Sequence, residues 1–467
     1  MAQEHYFLWS FQQFSYLLYL TLNTPFLIRL EVIISLFYLF IFSFLIYKLE
    51  VYNVPNVSRK KLVLVYVLKI TTGLLVWAIY TFYYDNRVTA DIFKYVDASK
   101  VMFDAIYNNP AHFFKMLLGI DAYGDELYPY YLKMNFWLSP SGYKSYNSYH
   151  FIIRLNALIQ FFSFGYYQVH AIFFCFFSFT GIVLIYKAFA FLFNSKNSLV
   201  FFILALFPSV LFWSSGVFKE AIIVFALGLI ATQFRKTFSS NLFLTVLLGC
   251  YLLYLTRISI LVCIVPSLLY IIWLRVSNNN YAVLKVFITV FSCIIIAVNM
   301  PKVVPKIDPL QFLVNKQQDF IELSEGKHQD AEYNKVPVAG SSIAIPPLTA
   351  NIFSIIKSTP NAIINTLFRP FLWESKSVLM FMASMENAIT IIILTLCIIY
   401  RKKNSEFKWD YIMPFLLFVV FQYVIIGLTT PIMGAIVRYK LPALLILLII
   451  ALHIVDHEKI KTLFTKS

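Results

Sequence analysis

Charge is scarce in this sequence. Only 13% of its 467 residues are Asp, Glu, Lys or Arg, where a soluble domain carries about 25%. With 60% hydrophobic and 18% aromatic residues and a mean hydropathy of +0.74, that shortage excludes the soluble globular class. A strict alternation of apolar and polar residues is also missing, which excludes a membrane β-barrel. Helices that satisfy their own backbone are left, so the expected fold class is an all-α polytopic membrane protein. Cysteine is scarce: Cys175, Cys250, Cys263, Cys293 and Cys397 all lie in apolar runs and read as packing residues. No HExxH or similar spacing joins the histidines, so no metal site is expected. The opening MAQEHYFLWS lacks a basic n-region and a small-residue cleavage site, so no cleaved signal peptide is expected.

What is there is a series of apolar runs near the ~20 residues that a crossing helix needs. Eleven candidates are residues 31–47, 62–83, 169–193, 198–213, 217–234, 242–255, 258–274, 282–300, 378–400, 411–429 and 435–452. A twelfth, residues 6–26, contains Gln12, Gln13 and Pro25 and either spans or lies on the surface. Several runs are short, which suits hairpins packed inside a bundle.

Basic residues outnumber acidic ones, 38 to 23, giving a net charge of +15. In a membrane protein this excess marks cytoplasmic loops and not a nucleic-acid partner. KLEVYNVPNVSRKK (48–61), the turn after Arg235, RKKNSEFK (401–408) and the tail HEKIKTLFTKS fall together on the cytoplasmic side. Two long loops with nearly balanced charge, 85–150 and 301–375, fall on the other side.

Against that trend, several charges sit at extracytoplasmic turns. Lys219 and Glu220 lie in FPSVLFWSSGVFKEA, Arg257 in LYLTRISIL, Arg369 and Glu374 in LFRPFLWES, and Arg438 and Lys440 in GAIVRYKLPALL. An intramembrane charge usually has a partner or lines a polar site. Snorkelling to headgroups is the bland reading of Lys219 and Glu220. A cluster of Lys and Arg suits a phosphate or pyrophosphate, and the apolar surroundings suit an isoprenoid chain. The first long loop supplies the acids. TADIFKYVDASKVMFDAIYNNP (89–110) reads as an amphipathic helix capped by Thr89, with Ile92, Val96, Phe103 and Ile106 resting on the membrane. Asp91, Lys94, Asp97, Lys100 and Asp104 alternate in sign, as in an ordinary salt-bridge ladder. In the functional reading, Asp91 or Asp97 is a general base. A second interfacial helix is expected at 149–164, and VPVAGSSIAIPPLTA (336–350) reads as a flexible lid.

This layout resembles the GT-C superfamily of integral membrane glycosyltransferases. The resemblance covers roughly residues 62–300, with 62–83 as the module's first span and 89–107 and 149–164 as its two interfacial helices. Residues 1–61 are then an N-terminal addition, 301–375 a second extracytoplasmic loop, and 376–467 C-terminal spans with a basic tail. Through FPSVLFWSSGVFKEA, LFRPFLWE and IVRYKLP the chain also resembles multi-span proteins of Bacteroidetes-type bacteria. The GT-C resemblance implies a polyprenyl-phosphate sugar donor, a glycan, lipid or protein acceptor, no cofactor, and an inner-membrane enzyme working at the extracytoplasmic face. Asp97 or Asp91 would deprotonate the acceptor. Lys219, Arg257 and Arg438 would hold the departing lipid phosphate, and Glu220 would orient Lys219 or bind sugar hydroxyls. The acidic helix lacks the adjacent acid pair of better-known members; Asp125-Glu126 stands further along. Rival readings are an O-antigen-type polymerase or ligase acting on polyprenyl-pyrophosphate glycans, and a lipid-linked glycan transporter without chemistry.

Overall fold

A computed structural model describes residues 27–84, 87, 90–122, 124–134, 137, 148–193, 198–234, 240–277, 281–325, 340–402, 409–456 and 459. The expected segment 6–26, the cap Thr89 and most of the basic stretches 401–408 and 457–467 lie outside them. In chain order the helices are α1 (Leu27–Lys48), α2 (Arg59–Ala78, continued by a π-turn Ile79–Tyr83), α3 (Asp91–Asn108), α4 (Pro110–Leu118), α5 (Tyr128–Tyr131), α6 (Tyr149–Ser163) and α7 (Tyr167–Phe189). Then come α8 (Leu199–Leu206), α9 (Pro208–Trp213), α10 (Lys219–Ala231), α11 (Ser240–Thr256), α12 (Ile258–Val276) and α13 (Ala282–Val303). The last are α14 (Pro309–Ser324), α15 (Ile352–Phe368), α16 (Val378–Ile399), α17 (Trp409–Thr429), α18 (Met433–Tyr439) and α19 (Leu441–Ile454). The described residues form no strand, only two isolated bridges. The protein is an all-α polytopic membrane protein.

Among the described residues, seven helices are long and apolar enough to cross a bilayer: Leu30–Lys48, Arg59–Tyr83, Tyr167–Leu192, Ile258–Val276, Val283–Val303, Val378–Ile399 and Ile412–Thr429. α18 and α19 make an eighth if their 57° bend is counted as one broken span. The other expected crossings are shorter. Pro208 cannot donate to the turn before it, and the run 198–213 divides there into α8 and α9. The run 217–234 becomes helical only at Lys219, after an extended Phe218.

The chain forms two compact units, residues 1–188 with 211–256, and residues 189–210 with 257–467. In the first unit α3 packs along α6, and its apolar stripe is in the protein core. Ile92 is fully buried and Val96 nearly so, while Phe103 meets Phe113 and Phe161 edge-on. The expectation that this stripe rests on the membrane is therefore corrected: long apolar surfaces on α6 and α4 bury it first. Asn109 caps α4 through Ala111 N–H, with Pro110 at its first position.

Residues 214–218 of this unit are not helical, so their backbone needs other partners within the membrane-spanning set. Ser178 Oγ on α7 donates to Ser214 O at 2.7 Å, and Lys69 Nζ on α2 donates to Ser214 Oγ at 2.6 Å. Gly216, at φ 138°, adopts a conformation that a side chain would strain. Lys69 stands about 15 Å along α2 from its start, at 1.5 Å per residue, and is 1% exposed.

Small residues set the helix spacing. A Cβ on Gly181 of α7 would collide with the Val224 carbonyl of α10, and one on Gly228 would lie 2.6 Å from Gly181 O. In the second unit a Cβ on Gly427 of α17 would collide with Ala362 O of α15. Thr366 Oγ1 then bonds across the same interface to Tyr423 O at 2.9 Å. The second long loop is fastened rather than loose over its described part: Ile343 N–H reaches Pro431 O at 2.7 Å, Met433 N–H reaches Ser341 O at 3.0 Å, and Leu348 N–H reaches Gln317 Oε1 at 2.8 Å. The lid expected at 336–350 is thus corrected for residues 340–350; 336–339 lie outside the described residues. Gly427→Val is expected to cost about 1–3 kcal/mol by overpacking, read as a lower Tm in detergent. Gly340→Ala, with nothing within 4 Å of the added Cβ, is expected to leave Tm unchanged.

Candidate functional site

In the first unit the polar residues gather at the start of α10. Glu220 is fully buried in its first turn, where a carboxylate favours the helix dipole. Lys219 opposes that dipole yet is only 6% exposed. Its ammonium lies 3.5 Å from the Tyr149 ring centroid and 6.0 Å from that of Tyr95, and donates to Ser148 Oγ at 2.7 Å. A desolvated cation–π contact contributes about 2 kcal/mol. The snorkelling reading of Lys219 and Glu220 is corrected: both are enclosed by protein.

Beside Lys219, an aromatic pile runs from Tyr131 to Trp137 (4.7 Å) to His150 (4.0 Å). Arg154 holds the far side, with its guanidinium 5.4 Å from the Trp137 ring and its Nε donating to Met116 O at 2.9 Å. A carbonyl can only accept, so His150 Nε2–H donates to Trp137 O at 2.7 Å. Desolvation, followed by the Arg154 and Lys219 charges, pushes His150 down to about 4, against the bond to Trp137 O. The ring is neutral at physiological pH.

Deeper, a polar chain ties α3, α6 and α7 together. Asn156 donates to Ile152 O at 2.8 Å, which turns its oxygen towards His170 Nδ1 at 2.7 Å. Ser163 Oγ meets His170 Nε2 at 2.8 Å, and Gln160 Nε2 reaches Ser99 Oγ at 3.0 Å. Asn156, Ser163, His170 and Ser99 are all fully buried. This chain orders the helices and has no access to a substrate.

The two expected carboxylates behave differently. Asp97 accepts from Arg87 through both oxygens, at 2.6 and 3.2 Å, and Arg87 also covers the Phe93 ring at 4.4 Å. Of the ladder, Lys100 and Asp104 pair at 2.7 Å. Asp91, at the head of α3, lies four residues before Tyr95 and so shares its helix face. That face meets Tyr149, with the two tyrosine rings 5.8 Å apart. Asp125 and Glu126 are elsewhere in the loop, where Glu126 pairs with Lys115 and His112.

In the second unit the expected cations separate into two kinds. Arg369 and Glu374 pair with each other at 3.4 Å, and Glu374 also accepts from Phe371 N–H at 2.9 Å. Lys440, 5% exposed, donates to Asn387 Oδ1 at 2.7 Å and faces Arg369 O and Thr366 O at 3.3 and 3.4 Å. These groups pin α15, α16 and α19. Arg257 is different. It caps α12, and its guanidinium lies 3.9 Å from the Tyr439 ring centroid, next to Arg438 in sequence. Lys316 of α14 comes close enough to feel the Arg257 charge, and no hydrogen bond or ion pair reaches it among the described residues. Desolvation, then Arg257, push the Lys316 amine down to about 8. Gln317 fixes α14 in place, donating to Leu428 O at 2.7 Å and Pro346 O at 3.0 Å.

Lys316 and His150 are the residues that sequence reasoning missed. Lys316 sits in PLQFLVNKQQDFIELS, whose mixed charge looks like any solvated helix. His150 belongs to no metal or catalytic spacing, and only its neighbours distinguish it. Among the described residues no group of three or more His, Cys, Asp or Glu is placed to hold a metal ion. No family model, no curated protein and no solved structure matches the chain.

The Lys316 amine gives a signed pH dependence. Its folded value of about 8 lies below its ordinary 10.5, so between those limits the unfolded chain binds more protons. Stability should rise with pH across that window, on the order of 2 kcal/mol from this group, and be flat below it. Thermal unfolding in detergent from pH 7.5 to 10.5 checks this; Lys316→Met should remove the rise.

Proposed function

We propose that the protein is an integral membrane glycosyltransferase that moves a sugar from a polyprenyl-phosphate donor to an envelope glycan, lipid or protein acceptor, at the extracytoplasmic face of the inner membrane. The observation that carries this reading is the second unit's cationic seat. Arg257 and Lys316 lie near the N-terminus of α12, and Lys316 is left without an acid partner among the described residues. Two neighbouring cations attract an anion, and a helix N-terminus adds to the attraction. A phosphate ester fits that demand, with a bidentate guanidinium and an ammonium point charge on its oxygens. The surrounding helices offer hydrocarbon for its lipid tail. When the carbon–oxygen bond to the sugar breaks, the phosphate gains charge, and this seat stabilises it.

The order of elements in the first unit supports glycosyl transfer in particular: a long span α2, two helices α3 and α6 packed together outside the spans, then the span α7. Asp91 and Asp97 of the first unit are the candidate bases, Asp97 accepting from Arg87 through both oxygens. Arg438, the sequence neighbour of Tyr439, is a further cation proposed for the phosphate. Arg369, Glu374 and Lys440 have structural roles, and Lys219 and Glu220 belong to the first unit's polar cluster. A second reading, a lipid-linked glycan transporter, is favoured by one observation: the non-helical stretch 214–218 bonded to the buried Lys69. Interrupted helices of this kind occur where solutes cross.

Mass spectrometry of envelope glycans and lipid-linked intermediates in a deletion strain tests these readings. Loss of one defined sugar, restored by wild type but not by Lys316→Met, is the expected result, and whichever of Asp91→Asn and Asp97→Asn fails to restore it identifies the base. Accumulated single repeat units would indicate a polymerase instead, and unaltered units stranded on the inner leaflet a transporter.

A further inference from the structure

Pro431 leaves a carbonyl of α17 without its helical donor. In an α-helix the carbonyl of residue i accepts from the N–H of residue i+4. For Gly427 that residue is Pro431, which has no N–H. The Thr430 N–H goes back to Ile426 O at 2.9 Å, and Leu428 O takes the Gln317 amide at 2.7 Å. Gly427 and Leu428 border a small, partly enclosed cavity of the second unit, between α17, α15 and residues 345–346. Its space is close to the least that holds a water molecule or one small ion.

From α15, Ser358, Asn361 and Asn365 border the same cavity. Their spacing of three and four residues puts a hydroxyl and two amides on one helix face. Buried amides elsewhere in this unit reach a backbone carbonyl across an interface, Asn387 to Phe368 O at 2.6 Å and Gln422 to Tyr439 O at 3.0 Å. Asn365, only 8% exposed, borders the cavity instead, and the exposed Asn361 stands at its mouth. Gln317 Nε2 donates to both Leu428 O and Pro346 O, at 2.7 and 3.0 Å. It thereby holds two wall residues in place and leaves each carbonyl a second lone pair.

The chemistry of this wall favours a cation. Backbone carbonyls only accept, and a hydroxyl and two amides can each turn an oxygen inward. The end of α17 adds the negative pole of a helix dipole. No carboxylate lines the cavity, whereas Ca2+ and Mg2+ sites draw on carboxylates, so neutral oxygens suit a singly charged ion. Carbonyls at helix C-terminal ends coordinate Na+ in the same manner where helices are broken. The Lys440 ammonium is committed further along α15, to Thr366 O, Arg369 O and Asn387 Oδ1.

We propose that this cavity binds one monovalent cation, Na+ or K+, through the carbonyls at the end of α17, the Ser358 hydroxyl and the Asn361 and Asn365 amide oxygens. The ion fastens α15 and residues 345–346 to the end of α17. The site is independent of glycosyl transfer.

Purified wild-type protein in detergent and choline chloride is titrated with NaCl or KCl at constant total chloride. Saturable one-to-one binding of radioactive sodium, or of rubidium in place of potassium, is expected, with a Tm that rises and levels off over the same range. The ion that binds more tightly is the ligand. No saturable binding, with Tm the same in all three salts, means that the cavity holds water only and overturns the proposal. Ser358→Ala and Asn365→Ala should each weaken binding about tenfold, the worth of one oxygen on a charged partner. Asn361 is exposed, so its variants fold whether or not those two do. Asn361→Lys, which brings a like charge to the mouth, should weaken binding by at least as much, and Asn361→Asp should tighten it. Binding that ignores both Asn361 variants lies elsewhere, and the reverse order marks an anion site; either result overturns the proposal.

Discussion

A peptide group in hydrocarbon has no water to bond, and that one constraint orders the rest of this molecule. It explains why the apolar runs are helices, and it dictates what happens where a helix stops early. At Ser214 the chain leaves helical geometry among the spans, and two side chains from separate helices, Ser178 and Lys69, come to its oxygens. A lysine enclosed at that depth is costly unless something uses its protons; here the serine hydroxyl does. Loop geometry and buried charge are thus the same feature seen from two sides.

The same accounting sorts the cations. Lys440 faces three oxygen acceptors and Arg369 has Glu374, so each is a fastening between helices. Breaking such a pair leaves a buried charge uncompensated, which makes these residues poor markers of chemistry although they are buried and charged. Lys316 differs because no hydrogen bond or ion pair reaches it among the described residues, while the Arg257 charge acts against its own.

The fold class was legible because composition and continuous apolar runs depend on the solvent alone. Seven of the runs are single crossing-length helices. The run 198–213 was misleading because hydropathy sums over a window and is blind to Pro208, whose missing N–H divides it. Likewise the stripe Ile92, Val96, Phe103, Ile106 was correctly seen as apolar, but a stripe does not state what covers it, and α6 covers it here. Of the site, sequence signs found the charged positions. They could not show that Asp97 accepts from Arg87, which stands ten residues before it outside any helical period.

His150 and His170 carry that point further. Both lie in polar-apolar mixed segments, twenty residues apart, and nothing in spacing or composition separates them. What separates them is what each one bonds. His170 has two nitrogens and two partners, so it is finished by the protein itself. His150 instead ties the head of α6 to Trp137, bonding its carbonyl and stacking on its ring, while burial and then the Arg154 and Lys219 charges keep it neutral.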